Sequence, residues 1–214
     1  MLYYNTVNDL LKNSLITLMN APIFQNFRLV GGTALSLQIG HRESIDIDLF
    51  SDAEYGTLNF KEIEDFLRNN FDHVDFLDVP PAMGKAYFVG NNENSTIKLD
   101  IFYTDTFIQP FIEVDGIRMA TIEEIIAMKI DVIQRGGRKK DFWDLHNLLD
   151  TYSISQMIKL HEQRYPYTHD RDLIIQNFIS FEQADDDFDP ICYKGKYWAF
   201  IKEDFEEIIK NNFR

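Results

Sequence analysis

One stretch constrains this chain more than any other: residues 27–50, which read FRLVGGTALSLQIGHRESIDIDLF. Residues 28–30 are a short, largely apolar run that predicts a strand, and Gly31 and Gly32 follow it directly. Two glycines at this place allow a tight turn and a close approach of the backbone to a bulky group. Thr33 can begin a helix whose first amide groups point back toward the same space. The pattern predicts an anion-binding turn between a strand and a helix.

The end of that stretch carries two acidic residues in a strand pattern. Asp46 and Asp48 alternate with apolar residues, so both carboxylates are expected on one face of a strand. The apolar neighbours are expected to face the core; they are Ile45, Ile47 and Leu49. Two like charges on one face repel each other, and a divalent cation between them would relieve the repulsion. The residues therefore predict a metal site.

A second alternating segment, residues 96–102, lies about fifty residues downstream and reads TIKLDIF. Asp100 lies on its polar phase and is the candidate for a third carboxylate at the same site. The alternative is a surface aspartate on an edge strand.

The second half of the chain changes to a helical pattern. Apolar residues recur with the helix period over residues 122–133, and Lys129 lies on or beside that apolar stripe. A lysine placed this way either extends to solvent or reaches a buried anion. Asp141 opens the next helix, and from the residues alone it is an acid favoured by the positive end of the helix dipole.

Charge limits the partners of the chain. It has 21 basic and 35 acidic residues, a net charge of −14, which argues against the broad basic face of most nucleic-acid binders. Positive charge is nevertheless concentrated over residues 129–140, either as a local polyanion site or as a solvated helix end. The basic residues of this run are Lys129, Arg135, Arg138, Lys139 and Lys140.

The cellular compartment is predicted from two absences in the sequence. Cys192 is the single cysteine, so no internal disulfide can form, and a reducing cytoplasm fits best. No segment approaches eighteen consecutive apolar residues, and the N-terminus lacks a basic segment followed by an apolar one. We expect a cytoplasmic protein that does not enter a membrane.

The motifs together resemble a known superfamily. Gly31-Gly32, thirteen residues and then Asp-Ile-Asp-Leu resemble the signature of the nucleotidyltransferase superfamily that includes DNA polymerase beta. The fuller string GGTALSLQIGHRESIDIDLF is similar to the AbiEii/AbiGii toxin family within it. Residues 138–145 resemble the last conserved block of that family, with Lys140 where arginine commonly precedes the aspartate.

The resemblance implies an α+β fold, with a nucleotidyltransferase-type mixed sheet and flanking helices followed by a helical bundle. The change of pattern places the expected domain boundary after the glycine-containing hairpin before residue 119. Residues 1–118 would form the nucleotidyltransferase catalytic domain, and residues 119–214 a helical domain that completes the cleft.

The same resemblance implies a two-metal nucleotidyl transfer from an NTP, with two Mg²⁺ ions or Mn²⁺ in their place. Asp46 and Asp48 would bridge the ions, while Asp100 would complete the second site and help to deprotonate the acceptor hydroxyl. Lys129 and Asp141 complete the implied catalytic set. The nucleotide would be bound by Gly31, Gly32, Thr33, Arg42, Ser44 and Lys129.

Three functions stay open at this point. The first is a toxin that transfers a nucleotide to RNA, with tRNA as the expected acceptor and a cognate antitoxin as partner. The second is a nucleotidyltransferase that modifies a small cationic molecule such as an antibiotic, which suits the acidity of the chain. The third is a non-catalytic binding protein on the same scaffold, and the intact glycines and aspartates count against it.

Overall fold

The computed structural model describes residues 1–77 and 79–213. The chain divides into two units: unit 1 is Met1–Ile39 with Ser44–Thr121, and unit 2 is Gly40–Glu43 with Ile122–Arg214. The change from sheet to helix thus falls close to residue 119. The short segment Gly40–Glu43 groups with the helical unit although it lies far upstream in the sequence.

Unit 1 contains a mixed sheet that, among the described residues, has seven strands: β1 Arg28–Leu29, β2 Asp46–Ser51, β3 His73–Asp75, β4 Gly84–Asn92, β5 Ser95–Tyr103, β6 Ile112–Val114 and β7 Ile117–Met119. Their order in the sheet is β3-β4-β5-β2-β1-β7-β6. Strands β2 and β5 pair in parallel, as do β1 and β7, and the remaining neighbours are antiparallel. The helices of this unit are α1 Asp9–Asn20, α2 Gly31–Ile39 and α3 Phe60–Asn70.

The alternating pattern of β2 and β5 explains how these strands bury one face. Ile47 and Leu49 of β2 have no exposed surface, and neither do Leu99 and Ile101 of β5, which pair with them in register. The prediction that Ile45 also faces the core is wrong, because β2 begins only at Asp46 and Ile45 is 61% exposed.

Helix α2 begins two residues earlier than its sequence pattern indicates. Gly31 is its first residue and has a φ of +67°, so Thr33 lies inside the first turn and is buried. A positive φ is readily adopted only by glycine, which is why the chain can enter the helix directly from β1. Gly40, with a φ of +65°, follows the last residue of α2 in the position that glycine often occupies.

Unit 2 is helical. Its helices are α4 Ile122–Gln134, α5 Lys139–His146, α6 Ile154–Arg164, α7 Arg171–Asn177, α8 Glu182–Asp185 and α9 Trp198–Asn212. Helix α4 packs against α5, α6 and α7, and α5 packs against α8 and α9, so apolar faces converge between them. Ile125, Ile126 and Ile130 of α4 are fully buried, as the helix period predicts.

The mixed sheet of unit 1 and the helices of unit 2 confirm the α+β fold expected from the sequence. None of the helices in the described part of the chain is both long enough and apolar enough to cross a bilayer.

Candidate functional site

The acidic residues of β2 and β5 lie side by side on the same face of the sheet. Because the two strands are parallel and in register, Asp48 pairs with Asp100 and Asp46 pairs with Lys98. All four side chains are half-buried, whereas the opposite face of both strands is fully buried. Strand β5 lies between β4 and β2, so the alternative that Asp100 belongs to an edge strand is wrong. We call Asp46, Asp48, Asp100 and Lys98 the carboxylate face.

Gly31 brings the start of α2 against this face. A Cβ atom built on Gly31 would overlap the Asp48 carboxylate, so no larger residue fits there without moving that side chain. The backbone amide of the preceding residue, Val30, donates to the carbonyl oxygen of Asp48 at 2.9 Å. The first turn of α2 therefore adjoins the carboxylate face. The first amide groups of a helix lack acceptors within the helix, and they favour a negatively charged ligand.

Thr33 and Ser44 have a structural role in the present geometry. The two hydroxyl oxygens lie 2.8 Å apart, and the Thr33 hydroxyl also donates to the carbonyl oxygen of Asp46. Both residues are buried. These bonds fix α2 to the beginning of β2, which sets the distance between Gly31 and the two aspartates. Gly32 follows Gly31 in the first turn of the same helix.

Lys98 supplies the positive charge of the carboxylate face. Its Nζ atom lies 2.5 Å from Oδ2 of Asp100, and its side chain is 41% exposed. Partial burial lowers the pKa of Lys98, but the hydrogen bond to Asp100 and the charges of Asp100, Asp46 and Asp48 outweigh it and raise the pKa above its usual value. The other carboxylate oxygen of Asp100, Oδ1, is buried and has no hydrogen-bond partner within the described residues.

The carboxylate oxygens of this face are suitable ligands for a hard cation such as Mg²⁺. Aspartate oxygens are preferred ligands of Mg²⁺, which is usually held by one or two carboxylates plus substrate phosphates. In the part of the chain that the structure describes, no three His, Cys, Asp or Glu side chains already converge closely enough to hold a metal ion. The buried Oδ1 of Asp100, which has no hydrogen-bond partner among the described residues, is the observation that fits a bound cation.

A second cluster of charges lies in unit 2, around Asp144 of α5. Asp144 is fully buried and accepts hydrogen bonds from Arg42 through Nε at 2.6 Å and Nη2 at 2.8 Å. It also contacts His41 Nε2 at 2.6 Å and Lys129 Nζ at 2.5 Å. Burial raises the pKa of Asp144, but Arg42 and Lys129 hold it well below its usual range. We call Asp144 with these three partners and Asp141 the buried ion cluster.

Lys129 and Asp141, predicted as catalytic residues, both belong to this cluster. Lys129 is 5% exposed, and its Nζ lies 2.8 Å from Oδ1 of Asp141. Of the two alternatives for Lys129, the structure shows the buried anion, and that anion comes from the same chain. Asp141 also accepts a hydrogen bond from Arg138 Nε at 2.9 Å. Burial lowers the pKa of Lys129, but the charges of Asp141 and Asp144 outweigh it and raise the pKa.

Arg42, predicted to reach a phosphate, is the residue that ties Gly40–Glu43 to the helices. It forms an isolated antiparallel bridge with Cys192. The residues on either side of it form backbone hydrogen bonds with residues 191–193: Tyr193 N donates to His41 O at 2.8 Å, and Glu43 N donates to Ile191 O at 2.9 Å. His41, which the sequence gives no reason to distinguish from a turn residue, has no exposed surface. Burial lowers the pKa of His41 more than the Asp144 carboxylate raises it, so a neutral ring donates through Nε2.

Most basic residues of the run 129–140 form ion pairs with acidic residues of the same chain. Lys129 belongs to the buried ion cluster, and Lys139 is 5% exposed with its Nζ 3.0 Å from Oδ1 of Asp189. Its backbone amide donates to Oδ2 of Asp187 at 2.9 Å. Arg135 and Arg138 are exposed and pair with Asp131 and Asp141. The structure therefore does not present these residues as one continuous basic surface.

The predicted residues fall in both units of the chain. Unit 1 holds Asp46, Asp48, Asp100, Gly31, Gly32, Thr33 and Ser44; unit 2 holds Arg42, Lys129 and Asp141. Sequence reasoning missed Asp144, His41 and Lys98 as site residues. The spacing of Asp141 and Asp144, which places them on one helix face, was a signal for the first. The i, i+2 spacing of Lys98 and Asp100 was a signal for the last.

Solved structures of other proteins share the fold of this chain. A Helicobacter pylori protein described as a candidate nucleotidyltransferase aligns with 94% of this chain and 90% of its own, with a TM-score of 0.59 and 19% identity. MenT4, a nucleotidyltransferase toxin of Mycobacterium tuberculosis, aligns with 94% of this chain and 82% of its own, with a TM-score of 0.57 and 13% identity. These likenesses establish the nucleotidyltransferase-type fold.

Sequence comparison gives the family. Protein aq_aa25 of Aquifex aeolicus strain VF5, described as uncharacterized, is 25% identical to this chain, and the alignment covers 93% of this chain and 94% of the relative. The family model described as nucleotidyl transferase AbiEii toxin, type IV toxin–antitoxin system, matches residues 14–212. That range includes both the carboxylate face and the buried ion cluster. The chain therefore belongs to the AbiEii nucleotidyl transferase toxin family.

Proposed function

We propose that this protein transfers a nucleotide from an NTP to RNA, with tRNA as the preferred acceptor, and that the reaction requires Mg²⁺ or Mn²⁺. The observation that carries the proposal is the in-register pair Asp48 and Asp100 on parallel strands, with Asp46 on the same face and Gly31 against Asp48. This face combines carboxylates for cations with a helix start for phosphates.

Asp46, Asp48 and Asp100 would hold the metal, and the unpartnered Oδ1 of Asp100 supplies a ready oxygen. When bound, the metal would neutralise phosphate charge and lower the pKa of the acceptor hydroxyl. The acceptor oxygen attacks the α-phosphorus, a new O–P bond forms, and the bond from the α-phosphorus to the bridging oxygen breaks. Pyrophosphate leaves with that oxygen, and the hydroxyl proton passes to the Asp100 carboxylate.

The first turn of α2 would bind the phosphates of the NTP. Gly31 and Gly32 let the backbone approach the phosphates closely, and the backbone amide of Thr33 lies in the same turn. The hydroxyls of Thr33 and Ser44 hold the turn in position through their mutual contact and do not themselves need to reach the substrate.

The buried ion cluster would act by positioning. Asp141 binds Lys129 and Arg138, and Asp144 binds Arg42, so these carboxylates fix the orientation of each cation.

A small cationic acceptor is the second candidate, and two observations favour it. The net charge of −14 attracts cations, and the structure buries Lys129 and Lys139 of the basic run in ion pairs. An RNA acceptor would then have to be bound by a restricted set of exposed basic side chains. A cognate antitoxin as regulator is part of the proposal because the family is described as a toxin of a type IV toxin–antitoxin system.

The test is incubation of the purified protein with Mg²⁺, each of four labelled NTPs in turn, and total tRNA. Asp48→Asn is the inactivating variant, and Asp172→Asn, which changes an aspartate whose side chain is 94% exposed, is the matched control. We expect label on tRNA from the wild type and the control but not from Asp48→Asn. Label on a polycationic antibiotic instead of RNA would select the second candidate. Absence of transfer to either acceptor, with intact folding, would contradict a catalytic function.

A further inference from the structure

Lys98 is the one member of the carboxylate face that the proposed reaction does not use. It pairs with Asp46 across the parallel strands, and its ammonium group contacts Oδ2 of Asp100. An i, i+2 pair on one strand lies on one face, so the contact lies on the side of the sheet that carries all three aspartates. The lysine therefore occupies the place where a cation is needed.

Electrostatics explains why an internal cation belongs there. Three aspartates on one face repel each other, and an ammonium group close to them offsets part of that repulsion. A divalent cation bound at Oδ1 of Asp100 would do the same more strongly, but it would lie close to the ammonium group on Oδ2. Two positive charges on one carboxylate repel each other, so the binding of the metal and the contact of Lys98 with Oδ2 of Asp100 weaken each other.

A second lysine–carboxylate pair in unit 1 shows what a purely structural contact looks like. Lys85 Nζ lies 2.6 Å from Oε1 of Glu64, and Lys85 is 7% exposed, packed over the ring of Phe76. Lys85 pairs with Ile101, so it projects from the opposite, buried face of the sheet. Lys98 differs because its side chain is 41% exposed and can leave Asp100 for solvent without being left charged in the core.

We propose that the ammonium group of Lys98 takes the place of a metal ion. It holds Asp100 in position when no metal is bound, and it leaves Oδ2 of Asp100 when the metal–NTP complex binds. The inference rests on the proposed metal-dependent function and adds a positioning residue to it. A partly exposed ion pair is weak, so millimolar metal can displace it. The displaced ammonium group stays on the same face and can then neutralise phosphate charge.

The competition predicts that loss of Lys98 tightens metal binding to the nucleotide-free protein. Lys98→Met removes the charge and keeps most of the apolar stem, while Lys98→Arg keeps the charge. Lys85→Met removes the structural lysine as a matched control.

Mn²⁺ titration of each protein without nucleotide, followed by electron paramagnetic resonance, gives the dissociation constants. We expect Lys98→Met to bind Mn²⁺ about fivefold more tightly than the wild type, the energy scale of one weak ion pair. Lys98→Arg and Lys85→Met are expected to match the wild type.

A thermal-unfolding readout separates competition from a general effect on folding. Without metal, Lys98→Met is expected to have a lower Tm than the wild type, because the aspartates repel each other without the lysine. With saturating Mn²⁺ the difference in Tm between the two proteins should disappear. A ligand that binds the folded state stabilises it more when it binds more tightly, and Lys98→Met is expected to bind Mn²⁺ more tightly. A purely structural role would leave the same Tm deficit with and without metal, and that result would overturn the inference.

The outcomes also distinguish this inference from the proposed function. If the wild type binds Mn²⁺ and Asp48→Asn does not, but Lys98→Met binds with equal or lower affinity, the metal site stands and the role of Lys98 is wrong. If Mn²⁺ binds the wild type and Asp48→Asn equally, or binds neither at millimolar concentration, both the metal site and the role of Lys98 are wrong. Nucleotide transfer is measured separately, so its absence alone leaves the metal competition intact.

Discussion

The carboxylate face of unit 1 and the buried ion cluster of unit 2 use the same residue types in opposite ways. The carboxylate face has three aspartates and one lysine, all half-buried, and one Asp100 oxygen lacks a hydrogen-bond partner in the described residues. In the cluster, Asp144 and Asp141 are balanced by Arg42 and Lys129, and both carboxylates accept short hydrogen bonds. An excess of negative charge near solvent suits a site that binds cations. Balanced charges in the interior suit a structural cluster that holds helices and loop segments together.

The comparison predicts the largest stability effect at the centre of the cluster. Asp144→Asn removes a buried charge and leaves Arg42 and Lys129 with one carboxylate between them. We expect the free energy of unfolding to fall by about 3–5 kcal/mol, the usual cost of breaking a buried ion pair from one side. Urea denaturation of the wild type and the variant measures this difference.

Asp172→Asn serves as the control for that experiment because its carboxylate is almost fully exposed and 3.6 Å from Arg171. Its stability should match the wild type. If Asp144→Asn were equally neutral, the cluster would not hold unit 2 together.

Gly31 gives the largest effect expected in unit 1. Gly31→Ala forces an alanine to a φ of +67° and drives its Cβ into the Asp48 carboxylate. We expect a loss of about 1–3 kcal/mol in the free energy of unfolding, and weaker metal binding because Asp48 must move. Thermal unfolding with and without Mn²⁺ measures both effects.

Gly56→Ala separates backbone strain from the clash. Gly56 has a φ of +87°, but a Cβ there meets no atom within 4 Å. The control should lose stability and keep its metal affinity. Unchanged metal affinity in Gly31→Ala would mean that the close approach to Asp48 is unimportant.

His41 makes the buried ion cluster sensitive to pH. Its pKa is lowered by burial, so the unfolded chain binds a proton at a higher pH than the folded protein does. The stabilising contribution of neutral His41 is therefore full above the unfolded pKa of about 6.5 and is lost as the pH falls toward the lower folded pKa.

We expect His41→Gln, which can still donate to Asp144, to reduce this loss. Between about pH 7 and pH 5 the wild type should lose more stability than the variant, by at most about 2 kcal/mol, which is the limit for one proton over the interval from about pH 6.5 to pH 5. Urea denaturation at a series of pH values gives the difference. Parallel curves for the two proteins would show that His41 is not buried in its neutral form.

The smallest stability effect is expected at Asp48, with a sign opposite to that at Asp144. Asp48→Asn removes one of three mutually repelling charges, so without metal the protein should be unchanged or more stable by up to about 0.5 kcal/mol. With Mg²⁺, the variant should lack the stabilisation that the wild type gains. A large loss of stability without metal would show that the carboxylate face, like the cluster, is a structural ion network.

The local geometry of the carboxylate face could be predicted because strand periodicity determines it. A repeat of two residues places Asp46 and Asp48 on one face, and the same rule applied to residues 96–102 places Asp100 with Lys98. The prediction failed for Ile45, where the pattern continues one residue beyond the strand. Hydrophobic alternation gives the phase of a strand more reliably than its end.

The buried ion cluster could not be predicted because its partners are distant in sequence. Arg42 and Asp144 are 102 residues apart, and no local pattern links them. The basic run illustrates the same difficulty, because Lys139 is buried by contacts with residues 46 to 50 positions downstream. Charge counted along the sequence does not distinguish a solvated lysine from one already paired.

The most direct test of the proposed catalytic face is the location of metal ions in crystals grown with Mn²⁺ and a non-hydrolysable NTP. We predict anomalous scattering peaks beside the carboxylate oxygens of Asp48 and Asp100, triphosphate density at the first turn of α2, and Lys98 displaced from Asp100. Peaks confined to other sites, with the contact between Lys98 and Asp100 intact, would contradict the assignment of this face as the site of nucleotide transfer.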